Sequence, residues 1–399
     1  MLGRLFFTSL PVLFSLTLFM SAGFLFLVEL MIAKMILPLL GGTPAVWNTC
    51  MMFFQVILLA GYGYAHISGT KAGITRQILI HLTILLAACI ALPIAIPRHW
   101  APSAEANPIG GILLLLLISV GPPFFVLSAT APLLQQWFSR TGHRSAGDPY
   151  FLYSASNLGS MLALISYPTW IEPHFRLAQQ GLSWSLGYVV ILALTALCAA
   201  ATKRYLSLCP PEETLEDRIP AAACVGDDPP PTYAERGRWI LLAFVPSSLM
   251  LGVTTFLSTD VAAIPLFWVI PLSLYLLSFI IVFARVPAWV HTNAVVLFPF
   301  SITALIVMHF TDIDVPKWVS FILHLVNFFL CCMVCHGEIA RRRPAAGHLT
   351  AFYLWISTGG MLGGIFNSLV APVTFTTVFE YPLILVLGAL LLPLRYKKE

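Results

Sequence analysis

Residues 12–36 read VLFSLTLFMSAGFLFLVELMIAKMI, and this stretch decides the class of protein. It holds only two charged side chains, Glu29 and Lys34, in a length that crosses a bilayer as a single helix. The apolar run is too long for a cleaved signal peptide, and no small-residue cleavage site follows it. We therefore interpret it as a permanent membrane helix.

Similar apolar stretches recur along the whole chain. Of the 399 residues, 59% are hydrophobic and 10% are charged, whereas soluble domains carry roughly a quarter charged residues. The net charge of +4 is therefore not read as a sign of nucleic-acid binding. We predict an all-α polytopic membrane protein with about twelve spans, near residues 12–36, 45–66, 75–97, 110–137, 151–171, 180–201, 238–258, 264–284, 288–310, 317–336, 349–371 and 378–394.

The basic residues indicate the orientation of these spans. With the N-terminus inside and twelve spans, 17 of the 21 Lys and Arg residues fall in cytoplasmic segments. Only Arg98, Arg176 and Lys317 fall outside, and Lys34 lies within the first span. Short cytoplasmic loops collect Lys and Arg because positive charge resists translocation. We therefore expect a multi-pass protein of the bacterial inner membrane with both termini in the cytoplasm.

A polar, proline-rich segment at residues 202–237 divides the chain. We interpret it as a cytoplasmic linker between a six-helix bundle at 1–201 and a second one at 238–399. The two halves match at seven of 20 positions when they are offset by 200 residues. Parallel six-helix repeats of this kind build the major-facilitator transporters, which bind their solute between the halves. Chance likeness of glycine- and aromatic-rich helices is the alternative. The identities pair Ala146, Gly147, Tyr153, Gly159, Met161, Leu162 and Ile165 with Ala346, Gly347, Tyr353, Gly359, Met361, Leu362 and Ile365.

Four motifs at loop edges carry a family resemblance. They are KMILPLLGGTPAVWNTC at 34–50, DVAAIPLFW at 260–268, CMVCHGE at 332–338 and FYLWISTGG at 352–360. Together they resemble the membrane portion of the fused major-facilitator/spermidine-synthase-like proteins of bacteria, over essentially the whole chain. The resemblance implies the membrane module of that family. It does not imply the chemistry of the synthase.

The chain departs from that family after the last span. Longer relatives continue into a soluble aminopropyltransferase-like domain with a glycine-rich nucleotide loop, and no such motif follows here. We therefore expect no spermidine synthase activity, no catalytic residues and no cofactor. The loop at 67–74 also lacks the acidic and basic motif that is typical of major facilitators, which weakens a transport assignment.

Ionisable groups inside a bilayer are costly, so they are the first candidates for function. Glu29 is a candidate for binding a cationic group or a proton, together with Lys34, Gln55 and Asp260 at the outer mouth. Glu29 and Lys34 are five residues apart, which places them on different helix faces. The alternatives are that Lys34 extends to the interface, that Glu29 pairs with a polar neighbour such as Gln55, and that Asp260 caps a helix.

The motif formed by Cys332, Cys335 and His336 has the spelling of a haem attachment site. The predicted orientation places it at the cytoplasmic end of the tenth span, the side opposite to haem attachment, so haem is not expected. A metal cluster with Cys331 and Glu338 is an alternative, although one helix cannot surround a metal. We favour a structural or gating helix end in which His336 and Glu338 bond to basic loop residues, and we expect no metal.

Four other features lie within the spans. His81 and His324 are candidates for proton relay, with a hydrogen-bonded packing role as the alternative. Gly359 with Gly363, and Gly360 with Gly364, are expected to be close packing faces. The pair Pro122-Pro123 is expected to break the fourth span, because each proline removes a helical hydrogen-bond donor.

Three functions are consistent with the sequence. The first is a transporter-like protein that moves or binds a small polar or cationic solute between the two helical halves. The second is a non-catalytic membrane module that acts with a separate soluble enzyme or membrane complex. The third is a metal or haem redox protein. The expected partners are the lipid bilayer and an unidentified small solute, with a partner protein under the second hypothesis and no nucleic acid.

Overall fold

The computed structural model describes residues 2–40, 44–96, 108–208, 229–257, 268–284, 287, 289–310, 315–375 and 379–392. Asp260 lies outside these residues. The described part is helical and contains no strand. Its principal helices are α1 (Leu2–Leu40), α2 (Pro44–Lys71), α3 (Ile74–Ala88), α4 (Pro108–Ser119), α5 (Gly121–Ser139), α6 (Phe151–Ser166), α7 (Leu177–Leu208), α8 (Tyr233–Phe256), α9 (Val269–Phe283), α10 (Trp289–Phe310), α11 (Lys317–Arg341), α12 (Leu349–Ile365) and α13 (Glu380–Leu390).

These helices account for all of the predicted spans. Within the described residues, eight helices are long and apolar enough to cross a membrane, and α4 with α5 form a ninth as a bent pair. Helices α9 and α13 are shorter but equally apolar, and α6 continues through a wide turn to His174. The prediction of an all-α, twelve-span membrane protein is confirmed.

The fourth span is broken where the sequence predicts it. Helix α4 ends at Ser119, Val120 leaves the helical conformation, and α5 starts at Gly121 with a bend of 68°. The prolines occupy the first turn of α5, where a missing N–H leaves no hydrogen bond unmade. The bend therefore separates two helices, one of which ends at Ser119 and the other of which begins at Gly121. It is not a kink within one continuous helix.

The polar segment between the halves is shorter than residues 202–237. Helix α7 continues to Leu208, so the helix does not end at residue 201. Helix α8 begins after Thr232, whose hydroxyl accepts a hydrogen bond from the backbone of Glu235 while the Glu235 carboxylate bonds back to Thr232. This reciprocal capping box fixes the start of α8 before residue 238.

The chain forms two compact units. Unit 1 comprises Met1–Pro231 together with Pro344–Leu354, and unit 2 comprises Thr232–Arg343 together with Trp355–Glu399. In unit 1, α1 packs against α6, α7 and α5, and α2 packs against α4 and α5. The contact of α1 with α6 is very close at Gly159, because a Cβ at that position would collide with the carbonyl oxygen of Phe19. The glycine is therefore required by the packing of two helix backbones.

Unit 2 repeats this packing. Helix α8 contacts α11 and α13, as α1 contacts α5 and α7 in unit 1. A Cβ at Gly359 of α12 would collide with the carbonyl oxygen of Ile240 in α8. The hydroxyl of Ser247 donates to the carbonyl of Gly360 at 2.8 Å, and Asn367 donates to Ser248 at 2.6 Å. The predicted close face is confirmed for Gly359 and Gly363, since a Cβ at Gly363 would also collide with a carbonyl oxygen, that of Phe244. For Gly360 it is wrong, because a Cβ there would meet no atom within 4 Å.

The backbone supports an internal repeat in a second way. Helix α6 is followed by a wide π-helical turn at Tyr167–Ile171, and α12 is followed by a similar turn at Phe366–Val370. The two turns lie at almost the same offset that aligns the sequence identities. Since π-helical turns are rare, a matched pair favours duplication over chance likeness of apolar helices.

Candidate functional site

Glu29 is half-buried on α1, and its two nearest turns bury Leu25, Val28 and Ile32 in the core of unit 1. Its carboxyl group has no hydrogen bond or ion pair with any residue that the structure describes. In particular, it is not bonded to Gln55. A carboxylate without a partner in an apolar span lowers the stability of the fold. Its presence is therefore better explained by a function, and the position is a candidate ligand site.

Lys34 lies on another face of α1, as its spacing from Glu29 predicts, and it has a partner. Its ammonium forms an ion pair with the carboxylate of Glu172, which follows the wide turn after α6. The side chains are 44% and 30% exposed, so the pair lies near the surface of unit 1. The ion pair joins the C-terminal part of α1 to the end of α6, and it gives Lys34 a structural role that the sequence does not indicate.

Gln55 is half-buried on α2 and shares a helix face with Tyr62 and His66, which follow it by seven and eleven residues. The ring nitrogen Nδ1 of His66 lies 3.1 Å from the hydroxyl of Thr350. Three polar side chains thus lie on one face of α2, between its middle and His66, which is five residues before the end of the helix at Lys71. The spacing of these three residues can be seen in the sequence. The sequence of one helix does not show whether such a face binds a ligand or packs against another helix.

A tyrosine cluster lies beside this face. It comprises Tyr150, Tyr153 and Tyr353 with Gln135, all in unit 1. The hydroxyl of Tyr353 donates to Oε1 of the fully buried Gln135 at 2.8 Å, and the rings of Tyr153 and Tyr353 are 4.9 Å apart. The hydroxyl of Tyr150 donates to the carbonyl of Pro344 at 2.8 Å. Sequence reasoning missed this cluster, although Tyr153 and Tyr353 appear among the repeat identities.

The two candidate relay histidines are both buried, in different units. His81 is fully buried, with Nε2 3.4 Å from the hydroxyl of Thr130 and with the rings of Tyr64 and Trp137 around it. Its Nδ1 has no hydrogen-bond partner among the described residues. These contacts are with neutral groups, and they favour the packing role over the relay role.

His324 lies in unit 2, where Nδ1 is 2.7 Å from the hydroxyl of Tyr381 and the ring packs on Phe256 at 4.4 Å. Asn327, one turn further along α11, is fully buried, and neither its amide nitrogen nor its oxygen has a partner within the described residues. The relay prediction for His324 is left open by these contacts.

The cysteine motif is buried at the end of α11. Glu338 accepts a hydrogen bond from Nε of Arg342 at 3.0 Å, and it lies 3.7 Å from Arg341 and 3.6 Å from His291. The expectation that Glu338 bonds to basic loop residues is confirmed. For His336 it is wrong, because Nδ1 lies 2.7 Å from the hydroxyl of Ser278 on α9.

The surroundings of His336 explain this difference. Its ring stacks on Phe279 with centroids 3.6 Å apart, and the whole stretch Cys331–Ala340 is buried, so the imidazole cannot reach the exposed arginines. Cys332 and Cys335 are both fully buried. Among the described residues, no three His, Cys, Asp or Glu side chains are arranged to hold a metal ion.

No protein-family model matches the chain, and no curated protein matches its sequence. Solved structures do match it. The chain is similar to a bacterial homologue of the iron transporter ferroportin in an outward-facing state, with a TM-score of 0.60 at 11% identity over 96% of each chain. It is similar to the proton:xylose symporter XylE, with a TM-score of 0.56 at 13% identity over 97% of this chain and 94% of that one.

A third match is the human organic anion transporter MFSD10, with a TM-score of 0.56 at 14% identity over 96% of this chain and 97% of that one. The chain has the major-facilitator fold. This supports the major-facilitator part of the resemblance seen in the sequence, whereas the spermidine-synthase-like part is not shown. At such low identity the likeness shows the fold alone.

Proposed function

We propose that the protein is a membrane transporter of a small polar or cationic solute, and that Glu29 binds the cationic group of that solute or a coupling proton. The observation that carries this proposal is that the carboxyl group of Glu29, in a largely apolar span, has no partner among the residues that the structure describes. The proteins of similar fold are described as carriers of xylose with protons, of organic anions and of iron. Their solutes differ, so none of them is transferred to this chain.

The position of Gln55 supports a binding role for the same region. Glu29 lies eleven residues before the end of α1 at Leu40, and Gln55 lies eleven residues after the start of α2 at Pro44. Consecutive spans run in opposite directions, and eleven residues correspond to about 17 Å of helix. The carboxyl and the amide are therefore expected at the same depth, on two helices that contact each other.

The polar face of α2 supports a path from that depth. Gln55, Tyr62 and His66 follow one another along the helix toward Lys71. A solute or proton that leaves Glu29 has polar groups to meet on this face, whereas the exposed faces of the bundle are apolar. We propose that this face guides the solute toward the side on which α2 ends.

Transport in proteoliposomes tests the proposal. Purified protein is reconstituted, and uptake of a labelled diamine, a quaternary ammonium ion, an amino acid and a sugar is measured with and without a proton gradient. For a solute that the protein carries, we expect Glu29→Gln to lower uptake at least tenfold and Gln55→Leu to lower it less. Equal uptake by Glu29→Gln and the unaltered protein for every carried solute contradicts the role of Glu29.

Glu235→Gln is the matched control. Glu235 is exposed, and glutamine preserves the capping box at the start of α8. The same chemical change therefore removes one carboxylate without removing a structural contact. We expect this variant to transport as the unaltered protein does. A loss of uptake in Glu235→Gln as large as that in Glu29→Gln would mean that the effect is not specific to Glu29.

A further inference from the structure

Unit 1 contains a cavity of about 190 Å³ between α1, the wide turn after α6 and the start of α7. Its wall is mainly hydrocarbon and includes Phe24, Leu27, Trp170, Phe175 and Trp184. The ion pair of Lys34 with Glu172, the residue directly after this turn, joins α1 to the segment that forms one wall. The cavity is thus built from three segments that are fixed to one another, and it is separate from Glu29.

Three polar side chains in the wall are already engaged by the protein, whereas Ser183, the fourth, is exposed. The hydroxyl of Tyr167 donates to Oε1 of Gln180 at 3.0 Å, and Nε2 of Gln180 donates to the carbonyl of Phe175 at 2.8 Å. The indole N–H of Trp184 donates to the carbonyl of Phe24 at 2.8 Å. These groups have few hydrogen bonds left to offer a ligand. A hydrocarbon chain is therefore the ligand that suits the cavity.

The cavity opens beside surfaces that face lipid. Leu27 lies eleven residues, or three helical turns, from the exposed Leu16, so both lie along one line of α1. On α7, the cavity residue Ser183 is exposed and lies one turn from Leu186, which is also exposed. Exposed leucines on a membrane-spanning helix contact acyl chains. An acyl chain can thus enter the cavity directly from the bilayer.

The mouth of the cavity has the features of a membrane interface. Trp170 is 58% exposed, and tryptophan is enriched where the bilayer meets water. Arg176 directly follows the wall residue Phe175 and is exposed, and its side chain has no ion pair with the described part of the chain. The nearby ammonium of Lys34 is neutralised by Glu172. Within the part of this mouth that the structure describes, Arg176 is therefore available to attract a negative headgroup.

We propose that this cavity binds an anionic phospholipid, with an acyl chain against the aromatic wall and the phosphate group at Arg176. The aromatic wall selects hydrocarbon, and the arginine selects an anionic headgroup over a zwitterionic one. A single Lys or Arg near a membrane surface strengthens the binding of an anionic lipid roughly fivefold. The selectivity between headgroups should therefore be modest, and the cavity itself should supply most of the affinity.

Native mass spectrometry of the full-length protein in detergent tests this site. The protein is titrated with phosphatidylglycerol or with phosphatidylcholine of the same acyl chains, and the bound lipids are counted. We expect one lipid to bind before the others, with phosphatidylglycerol preferred roughly fivefold. Arg176→Gln should remove this preference, whereas Arg140→Gln, an exposed arginine at the end of α5, should keep it.

Filling the cavity tests the acyl-chain part. Ser183→Phe places a ring in the cavity from α7, and Leu27→Phe does so from α1. Both variants should weaken the first binding event of either lipid at least tenfold. Leu186→Phe, on the lipid-facing surface one turn away, should bind as the unaltered protein does. Size-exclusion chromatography and thermal midpoints establish that each variant is folded, and two fillers from different helices guard against the failure of one.

Three results would overturn the proposal. If both fillers keep the first lipid, or if Leu186→Phe loses it to the same extent, the cavity does not hold the acyl chain. If Arg176→Gln and Arg140→Gln have the same effect on the preference for phosphatidylglycerol, Arg176 does not bind the headgroup. Displacement of the lipid by a short neutral amphiphile, with no effect of headgroup charge, would assign the cavity to another apolar ligand.

Discussion

Tyr153 and Tyr353 occupy equivalent positions in the two halves of the sequence, 200 residues apart, and their rings pack with centroids 4.9 Å apart. Both belong to unit 1, because Pro344–Leu354 groups with that unit although the rest of α12 belongs to unit 2. Their cluster includes the hydrogen bond from Tyr353 to Gln135 and neighbours the one between His66 and Thr350. Related positions of the repeat have thus become partners in one contact.

The hydrogen bond of this cluster gives the first prediction. Tyr353→Phe keeps the ring packing but leaves Oε1 of the fully buried Gln135 without that donor, which costs about 1 kcal/mol. We expect the apparent thermal midpoint in detergent to fall by a few degrees. Tyr233→Phe is the control, because Tyr233 is exposed at the start of α8. Equal midpoints for Tyr353→Phe and the unaltered protein would mean that the bond contributes nothing to stability.

The glycine contacts give the second prediction. Gly159→Ala and Gly359→Ala each place a methyl group against a backbone carbonyl of the facing helix, Phe19 in one case and Ile240 in the other. Overpacking of this kind costs about 1–3 kcal/mol, because backbones must separate. Gly360→Ala is the control, since a Cβ there meets no atom within 4 Å.

Thermal unfolding of the three glycine variants in detergent provides the measurement. Gly159→Ala and Gly359→Ala should unfold several degrees below the unaltered protein. Gly360→Ala should unfold at the same temperature or slightly above it, because its Cβ meets no atom and alanine favours a helix. If Gly359→Ala and Gly360→Ala shift the thermal midpoint by the same amount, close packing does not determine the stability of these variants. Helix propensity would then determine it, because alanine favours a helix over glycine at both positions.

The sequence predicts those parts of the fold that depend on local physics. Apolar length sets the twelve spans, and the prolines after α4 set the bend, because both act within a few residues. The glycine face of α12 is also readable, since small residues at spacing four have few other uses in a membrane helix. What the sequence does not reveal is which residue completes each pair.

The missed contacts all join residues that are distant along the chain. Lys34 pairs with Glu172, and His336 lies against Ser278 where the sequence suggests a basic loop. Hydropathy and spacing indicate that a polar group within a span needs a partner. They do not identify the partner, because that depends on which helices are neighbours in the fold. The carboxyl group of Glu29 is the informative exception, because it has no partner among the residues that the structure describes.

The ion pair of Lys34 with Glu172 gives the third prediction. Both side chains are partly exposed, so solvent screens the interaction and limits it to less than about 1 kcal/mol. Lys34→Gln and Glu172→Gln should each lower the thermal midpoint slightly. The charge-reversed pair, Lys34→Glu with Glu172→Lys, should restore it. High salt should reduce these differences, and an unrestored midpoint in the reversed pair would indicate that packing rather than charge is lost.

The orientation of the spans gives the fourth prediction. If both termini are cytoplasmic, Thr75 at the start of α3 faces the cytoplasm and Ala178 at the start of α7 faces outside. Each is replaced by cysteine in a protein whose Cys209 and Cys224, which lie outside the described residues, are serine. The six remaining cysteines are buried or half-buried, so they should react slowly.

A membrane-impermeant maleimide applied to intact spheroplasts should label Ala178→Cys and not Thr75→Cys. After the membranes are opened, both should be labelled. The reverse pattern in intact spheroplasts would invert the topology, and labelling of both would mean that the number of spans between α2 and α7 is wrong.

His143, in the connection between α5 and α6, gives the last prediction. Its Nδ1 accepts a hydrogen bond from the backbone N–H of Ser145 at 3.1 Å, which requires a neutral ring. Partial burial, and secondarily the positive charge of Arg144, lower the pKa of His143 below its ordinary value. The unfolded chain therefore binds a proton more readily, so stability is complete above about pH 6.5 and is lost as the pH falls below it.

His143→Asn tests this dependence, because the amide oxygen can accept the same hydrogen bond but does not titrate. We expect equal thermal midpoints at pH 8 and a higher midpoint for the variant at pH 5.5. Arg144→Gln should bring the pKa of His143 closer to its ordinary value, because it removes a neighbouring positive charge, and so should reduce the pH dependence in part. A difference between His143→Asn and the unaltered protein that is the same at both pH values would show that His143 stays in one protonation state throughout.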